Sequence, residues 1–252
     1  MLKSLIIAFS TYSRIPMPKL AWEEKNMRWA VCFFPLVGLV IGALVFLWCS
    51  LSYSLLELPM VLRAAVAAAL PILLTGGIHL DGFCDTMDAL ASHQSRERRL
   101  EIMKDPNAGA FAVIYCGVWL LLYFAAWCCL SQASSIAAGI GFVLSRALSG
   151  LALVNWKQAR EQGMLRSVAD ASRKSAVTAV MLVYILLCLI ALPLLCGWLG
   201  LAVIAGCGLA FLYYRWMSYA RFGGVTGDLA GCFVCLAELA TVLILAVLGA
   251  IL

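Results

Sequence analysis

The chain has 252 residues, of which 64% are hydrophobic and only 12% charged, with a formal net charge of +5. Soluble domains carry roughly 25% charged residues, and here the apolar residues fall in long blocks, which excludes a soluble globular enzyme. The ~10-residue alternating segments of a membrane β-barrel are absent, so the composition predicts an all-α, polytopic membrane helical bundle.

The first twenty residues, MLKSLIIAFSTYSRIPMPKL, carry no small-x-small cleavage pattern and read as mature protein rather than a cleaved signal peptide. Pro16 and Pro18 rule out a straight span there, so a helix lying at the membrane surface or dipping into it is expected. A spanning helix needs about 20 mostly apolar residues. Seven are predicted, at 30–55, 59–79, 109–130, 135–154, 176–196, 198–219 and 230–252. No internal repeat or linker divides them, which predicts one integral membrane domain over 1–252. The eleven cysteines are scattered through the apolar blocks. Cys232 and Cys235 share a helix face, but no second pair completes a zinc site, and nearly all eleven are expected to be small buried hydrophobes.

Lysine and arginine concentrate in alternate connections. Lys3, Arg14, Lys19, Lys25 and Arg28 precede the first span; Arg96, Arg98, Arg99 and Lys104 follow the second. Lys157, Arg160, Arg166, Arg173 and Lys174 follow the fourth, and Arg215 and Arg221 close the sixth. The other connections and the C-terminus carry none outside the spans. The positive-inside rule then predicts a cytoplasmic N-terminus and cytoplasmic basic loops, with the C-terminus on the far side. The surplus positive charge suits anionic lipid headgroups or the capture of an anionic substrate from the cytosol. A nucleic-acid partner is not expected, because there is no soluble basic domain and no aromatic–basic platform.

The acids gather at the same edge. In GGIHLDGFCDTMDAL, 76–90, Asp81, Asp85 and Asp88 are spaced by four and three. If span 2 continues as a helix through them, they share one face. Like charges so placed repel each other, whereas a hard divalent cation such as Mg²⁺ takes carboxylate oxygens, usually with substrate phosphate completing its shell. His79 is either a hydrogen-bonded interface histidine or a base. In KDPNAGAF, 104–111, Asp105 and Pro106 predict an N-cap and first-turn proline that start span 3. That positive helix end would seat a phosphate, with Lys104, Asp105, Asn107 and Gly109 as candidate substrate contacts. In GGVTGDLAG, 223–231, three glycines precede Asp228 and form a turn whose N–H groups could face an anion, with Thr226 beside it. No Gly-Lys-Ser/Thr follows, so this is not a P-loop. Glu238 lies about 15 Å deeper along the same helix, where a carboxylate requires a partner; Arg146, in the middle of span 4, is the candidate. These features point to metal-assisted phosphoryl transfer at the membrane face.

Taken together, STYSRIPMP, GGIHLDGFCDTMDAL, RRLEIMKDPNAGAFAV and GGVTGDLAG resemble the cobalamin synthase family, the adenosylcobinamide-GDP ribazoletransferases. The resemblance covers most of the chain in order and spacing. It implies a Mg²⁺-dependent enzyme of the bacterial inner membrane with a periplasmic C-terminus. That enzyme joins adenosylcobinamide-GDP to α-ribazole or its 5′-phosphate and releases GMP. On this chain Asp81, Asp85 and Asp88 match the family's acidic motif and are expected as metal ligands; Asp228 matches another motif, and its role as a further ligand or base is our own assignment. Lys104 and Arg14 are then expected on the diphosphate. Asp105, Asn107, Gly109, Thr226, His79, Arg146 and Glu238 complete the candidate substrate contacts. A homo-oligomer, or a complex with other enzymes of the same pathway, stays open.

Two other classes place acids in membrane helices. A CDP-alcohol phosphatidyltransferase wants Asp-Gly-x-x-Ala-Arg followed by Gly-x-x-x-Asp-x-x-x-Asp; here Asp81-Gly82 continues as Phe83-Cys84-Asp85-Thr86 and the second half is missing. A cation-coupled transporter should show inverted repeats and acids at the bilayer midplane, whereas most acids here lie at one edge.

Overall fold

A computed structural model of the chain describes residues 1–21, 23–160 and 173–251; Arg166 of the basic connections lies outside these. Among the described residues ten α-helices follow one another: α1 Leu2–Tyr12, α2 Glu24–Met27, α3 Phe34–Ser54, α4 Met60–Thr75, α5 Ile78–Ala91, α6 Arg96–Ile102, α7 Ala110–Cys129, α8 Ser134–Asn155, α9 Lys174–Met217 and α10 Gly227–Ile251. A 3₁₀ turn over Ala30–Phe33 leads into α3, and a π-turn over Ser218–Phe222 follows α9. Among the described residues the β-pairing is a single bridge between Gln158 and Val225.

Among the described residues five helical stretches are long and apolar enough to cross a membrane, and a sixth arises if α4 and α5 are taken as one bent span. The bend is 90°. It corrects the expectation that span 2 runs on through the aspartates. Gly76 and Gly77 both adopt positive φ, 66° and 79°, a left-handed conformation that side-chain-bearing residues rarely take. The chain turns sharply there, and α5 leaves α4 at a right angle, outside the five spanning helices. The two spans expected at 176–196 and 198–219 both lie within α9, which is broken at Gly197 (φ 58°, ψ −137°). A β-carbon on Gly200 would come within 2.1 Å of the Leu192 carbonyl oxygen. Residues eight apart in a straight helix are about 12 Å apart, so the chain folds back at this point. The N-terminal segment forms α1 and then runs extended through Pro16 and Pro18, without a further helix before α2.

The bundle is built on close backbone contacts rather than on an apolar-in, polar-out pattern, because lipid is as apolar as leucine. In α3, Gly38 and Gly42 form a Gly-x₃-Gly stripe against α8. A β-carbon on Gly42 would lie 2.7 Å from the Gly139 Cα, and one on Gly38 would lie 2.6 Å from the Phe142 carbonyl. Leucines on the outer faces of α7 and α9, such as Leu121, Leu194 and Leu209, are exposed, where a bilayer would cover them. Six of the eleven free cysteines are buried, but Cys129 is exposed and Cys84, Cys116, Cys128 and Cys196 are half-buried. The expectation that nearly all are core hydrophobes is therefore too broad.

Candidate active site

The acidic site begins with a crossing of two helices. Gly82 of α5 sits on the first turn of α10: a β-carbon there would meet the Asp228 carbonyl oxygen at 2.7 Å and its Cα at 2.8 Å. One turn earlier the backbone of His79 lies against Gly231, at 3.1–3.2 Å from where a β-carbon would stand. Only glycines allow main chains this close. The consequence is that Asp81 and Asp85, on either side of Gly82, are brought up to Asp228.

The electrostatics follow from that packing. Burial first, then the carboxylates of Asp81, Asp228 and Asp88, push the Asp85 carboxyl up to about 7, against a smaller opposing pull from Arg160. A carboxylate ringed by carboxylates favours a bound cation or a proton. Among the described residues no three His, Cys, Asp or Glu side chains are placed to hold a metal ion together. The arrangement suits a cation that takes one or two carboxylates and completes its shell with phosphate, which is the usual habit of Mg²⁺.

Asp88 has a different position. Its carboxylate accepts the backbone N–H of Gly109 at 2.6 Å and of Ala112 at 2.8 Å. It therefore caps α7, whose N-cap is Gly109. Two expectations are corrected. The span starts at Ala110 rather than at Asp105, and its positive end is filled by a side chain of the protein rather than open to phosphate. Asp105 instead closes an Asx turn, accepting the backbone and side-chain N–H groups of Asn107, both at 2.9 Å. This holds its carboxyl below the usual range. Lys104, Asp105 and Asn107 all lie exposed in this connection.

The glycine turn before α10 is likewise occupied. Gly224 donates its N–H to the Ser218 carbonyl at 3.0 Å, and Val225 donates to the Lys157 carbonyl at 2.8 Å. The main chain at 158–159 pairs here, so those N–H groups do not form an anion nest, contrary to expectation. Thr226 is buried and caps α10, its Oγ1 accepting the Leu229 N–H at 3.2 Å. The residue that sequence reasoning missed is Arg160. Its guanidinium donates to Asp228 at 3.1 Å and to the Leu100 carbonyl at 3.1 Å. Arg99 donates to the Arg221 carbonyl at 3.3 Å, and Arg96 lies against Gly223. The positive-inside pattern had accounted for all three, which left no separate signal in the sequence.

Three further candidates stand apart. Arg146 is fully buried and pairs with Glu238 across α8 and α10, as expected, while also donating to the Phe142 carbonyl and Ser145 Oγ at 3.2 Å. Gly38 makes room for its stem. His79 is buried, with its ring 5.7 Å from that of Phe34 and its Nε2 without a hydrogen-bond partner. Burial first and the Arg146 charge second lower it to about 3, so it stays neutral. None of these three lines the cavity in which Asp81 and Arg14 stand. Arg14 does: its N–H donates to the Leu74 carbonyl at 2.7 Å, and its side chain lies across Gly76.

The fold and this edge define the class, a polytopic membrane protein with carboxylates and guanidinium groups gathered at one end of the bundle. The chain belongs to the cobalamin-5-phosphate synthase family, whose model matches residues 4–246. It is 49% identical to the adenosylcobinamide-GDP ribazoletransferase of Lachnoclostridium phytofermentans over 94% of this chain and 91% of that protein. It is 38% identical to the enzyme of that name from Pseudomonas savastanoi, over 93% and 94%, and 35% identical to one from Acinetobacter baumannii, over 93% and 92%. No solved structure matches the chain.

Proposed function

We propose that this chain transfers the cobinamide phosphate of adenosylcobinamide-GDP to α-ribazole or its 5′-phosphate and releases GMP, the reaction for which its relatives are named. The chain is a membrane transferase of cobalamin nucleotide-loop assembly. The observation that carries the reading of its site is the crossing at Gly82, which sets Asp81 and Asp85 beside Asp228 and Arg160.

The ribazole 3′-oxygen attacks the phosphorus on the cobinamide side of the diphosphate. Its bond to the bridging oxygen breaks, and GMP leaves with that oxygen. Asp228, held by Arg160, or Asp85, whose affinity for a proton is raised, receives the hydroxyl proton. Mg²⁺, taken by one or two of the carboxylates of Asp81, Asp85 and Asp228, would supply neutralisation of the diphosphate charge. Arg14 and Lys104 provide cations for the same group, with Asn107 and Gly109 close to Lys104 in the chain. Asp88 acts by fixing α5 against α7.

The basic connections support a bacterial inner-membrane location with the N-terminus and the acidic edge in the cytoplasm and the C-terminus in the periplasm. Purified protein in detergent or liposomes, given adenosylcobinamide-GDP, α-ribazole 5′-phosphate and Mg²⁺, should release GMP. Folded protein that releases none, or unchanged rates in Asp81→Ala and Asp85→Ala, would sink the proposal.

A further inference from the structure

A cavity of about 690 Å³ opens between α1, the Gly76–Gly77 turn, α5 and α7, with Arg14, Gly77, Leu80, Asp81 and Cys116 in its walls. A second hollow of about 550 Å³ shares Ser10, Ser13 and Arg14 with it and continues past Lys19. Asp81 is the member of the carboxylate cluster that lines the larger one. None of the described residues of the α10 turn lines either hollow.

Its chemistry is uneven along its length. Arg14 is held on two sides, by its own N–H on Leu74 and by the bare backbone of Gly76, where a β-carbon would come within 2.3 Å of its Nε. A cation from one element and a carboxylate from another thus share a compartment with apolar walls at Ile78 and Leu80. Phosphate between a guanidinium and a carboxylate-bound cation matches that polarity. The volume falls in the range of about 300–1,000 Å³ that small ligands fill, which suits a nucleotide.

We propose that this groove seats the guanosine diphosphate end of the substrate, the part that departs as GMP, with Arg14 on its phosphates and the guanine held between α1 and α7. The inference rests on the transferase reading above. The corrinoid then stays outside the groove, joined to it through the phosphorus that faces Asp81. Arg14 orients the leaving group by binding it.

Cys116 lines the groove and reports on it, while Cys129, at the far end of the same helix, is exposed and serves as an internal reference. The full-length protein in detergent is treated with a maleimide, and the labelled peptides are quantified by mass spectrometry. GDP with Mg²⁺ should slow labelling at Cys116 several-fold and leave Cys129 unchanged. Arg14→Ala should raise the GDP concentration for half-protection at least about tenfold, the scale of one charge-assisted contact, and Arg14→Lys less. If Arg14→Ala does not fold, Ser10→Trp, which fills the shared wall, should have the same effect.

Protection by α-ribazole 5′-phosphate but not GDP would make this the acceptor's seat and overturn the proposal. So would equal protection by inorganic phosphate or anionic lipid, or none at all. Protection by GDP in a protein that releases no GMP from the full substrates would keep the groove and remove the transferase reading. GMP release without protection would do the reverse.

Discussion

The carboxylate of Asp88 closes the N-terminus of a different helix, accepting the Gly109 N–H at 2.6 Å and the Ala112 N–H at 2.8 Å. The anion that this positive helix end attracts is thus part of the protein. Because Asp88 lies three and seven residues beyond Asp85 and Asp81, pinning it sets the rotation of α5 and the direction in which the other two acids point.

Asp88→Ala should destabilise the protein by about 1–2 kcal/mol, since it strips two N–H groups of a charged cap. Asp88→Asn, which keeps one acceptor, should cost less. In both, GMP release should fall while the Mg²⁺ concentration for half-maximal rate stays unchanged, because the contact is to α7. Thermal unfolding in detergent and a Mg²⁺ titration of the rate check this. A Mg²⁺ requirement that shifts as far as in Asp81→Ala would make Asp88 a ligand.

The raised Asp85 carboxyl gives a pH signature with a definite sign. An acid whose folded pKa of about 7 exceeds an unfolded value near 4 binds protons more tightly when folded. Its contribution is fully present below about pH 4 and is lost as pH rises to about 7. Without divalent cation, Asp85→Asn should therefore match the parent near pH 4 and be more stable than it at pH 8. Mg²⁺ should raise the parent's melting temperature at pH 8 and affect the variant less. Melting curves across pH, with and without Mg²⁺, measure both.

Gly82→Ala tests the crossing that assembles the site. The added methyl would stand 2.7 Å from the Asp228 carbonyl oxygen, and backbone cannot yield as a side chain does. A cost of about 1–3 kcal/mol is expected, together with a large loss of GMP release as Asp228 is pushed from Asp81. Gly117→Ala on α7, where a β-carbon meets nothing within 4 Å, should be neutral in both assays.

Arg146 and Glu238 should prove structural. Removing either partner alone leaves a buried charge uncompensated, at about 3–5 kcal/mol, so Arg146→Ala and Glu238→Ala should accumulate poorly. The joint replacement Arg146→Met with Glu238→Leu should recover much of the yield. Recovery of yield without recovery of GMP release would instead assign the pair a part in the reaction.

Much of this architecture was legible because it depends on local composition. Twenty-residue apolar blocks announce helices, and the partner of Glu238 could be named because a carboxylate at that depth must be compensated. The start of α7 departs from the local signal for a reason of the same kind. Asp105 and Pro106 form a sound start signal locally, but the cap that stabilises α7 comes from Asp88, which belongs to another helix. Arg160 was invisible as a site residue because a basic loop residue already had a sufficient explanation in topology.

The sequence by itself determined an all-helical membrane protein, its basic and acidic edge, and the membership in a family that its four motifs carry. These follow from hydrophobicity, charge and short-range spacing, which each residue brings with it. Only the tertiary structure decided which acids meet. Asp88 turns to α7, Asp81 and Asp85 turn to Asp228, and Arg160 arrives from a third connection. Those choices are made by contacts between segments distant in the chain, at glycines whose missing side chains let backbones touch, and no local pattern encodes which partner will fill the space.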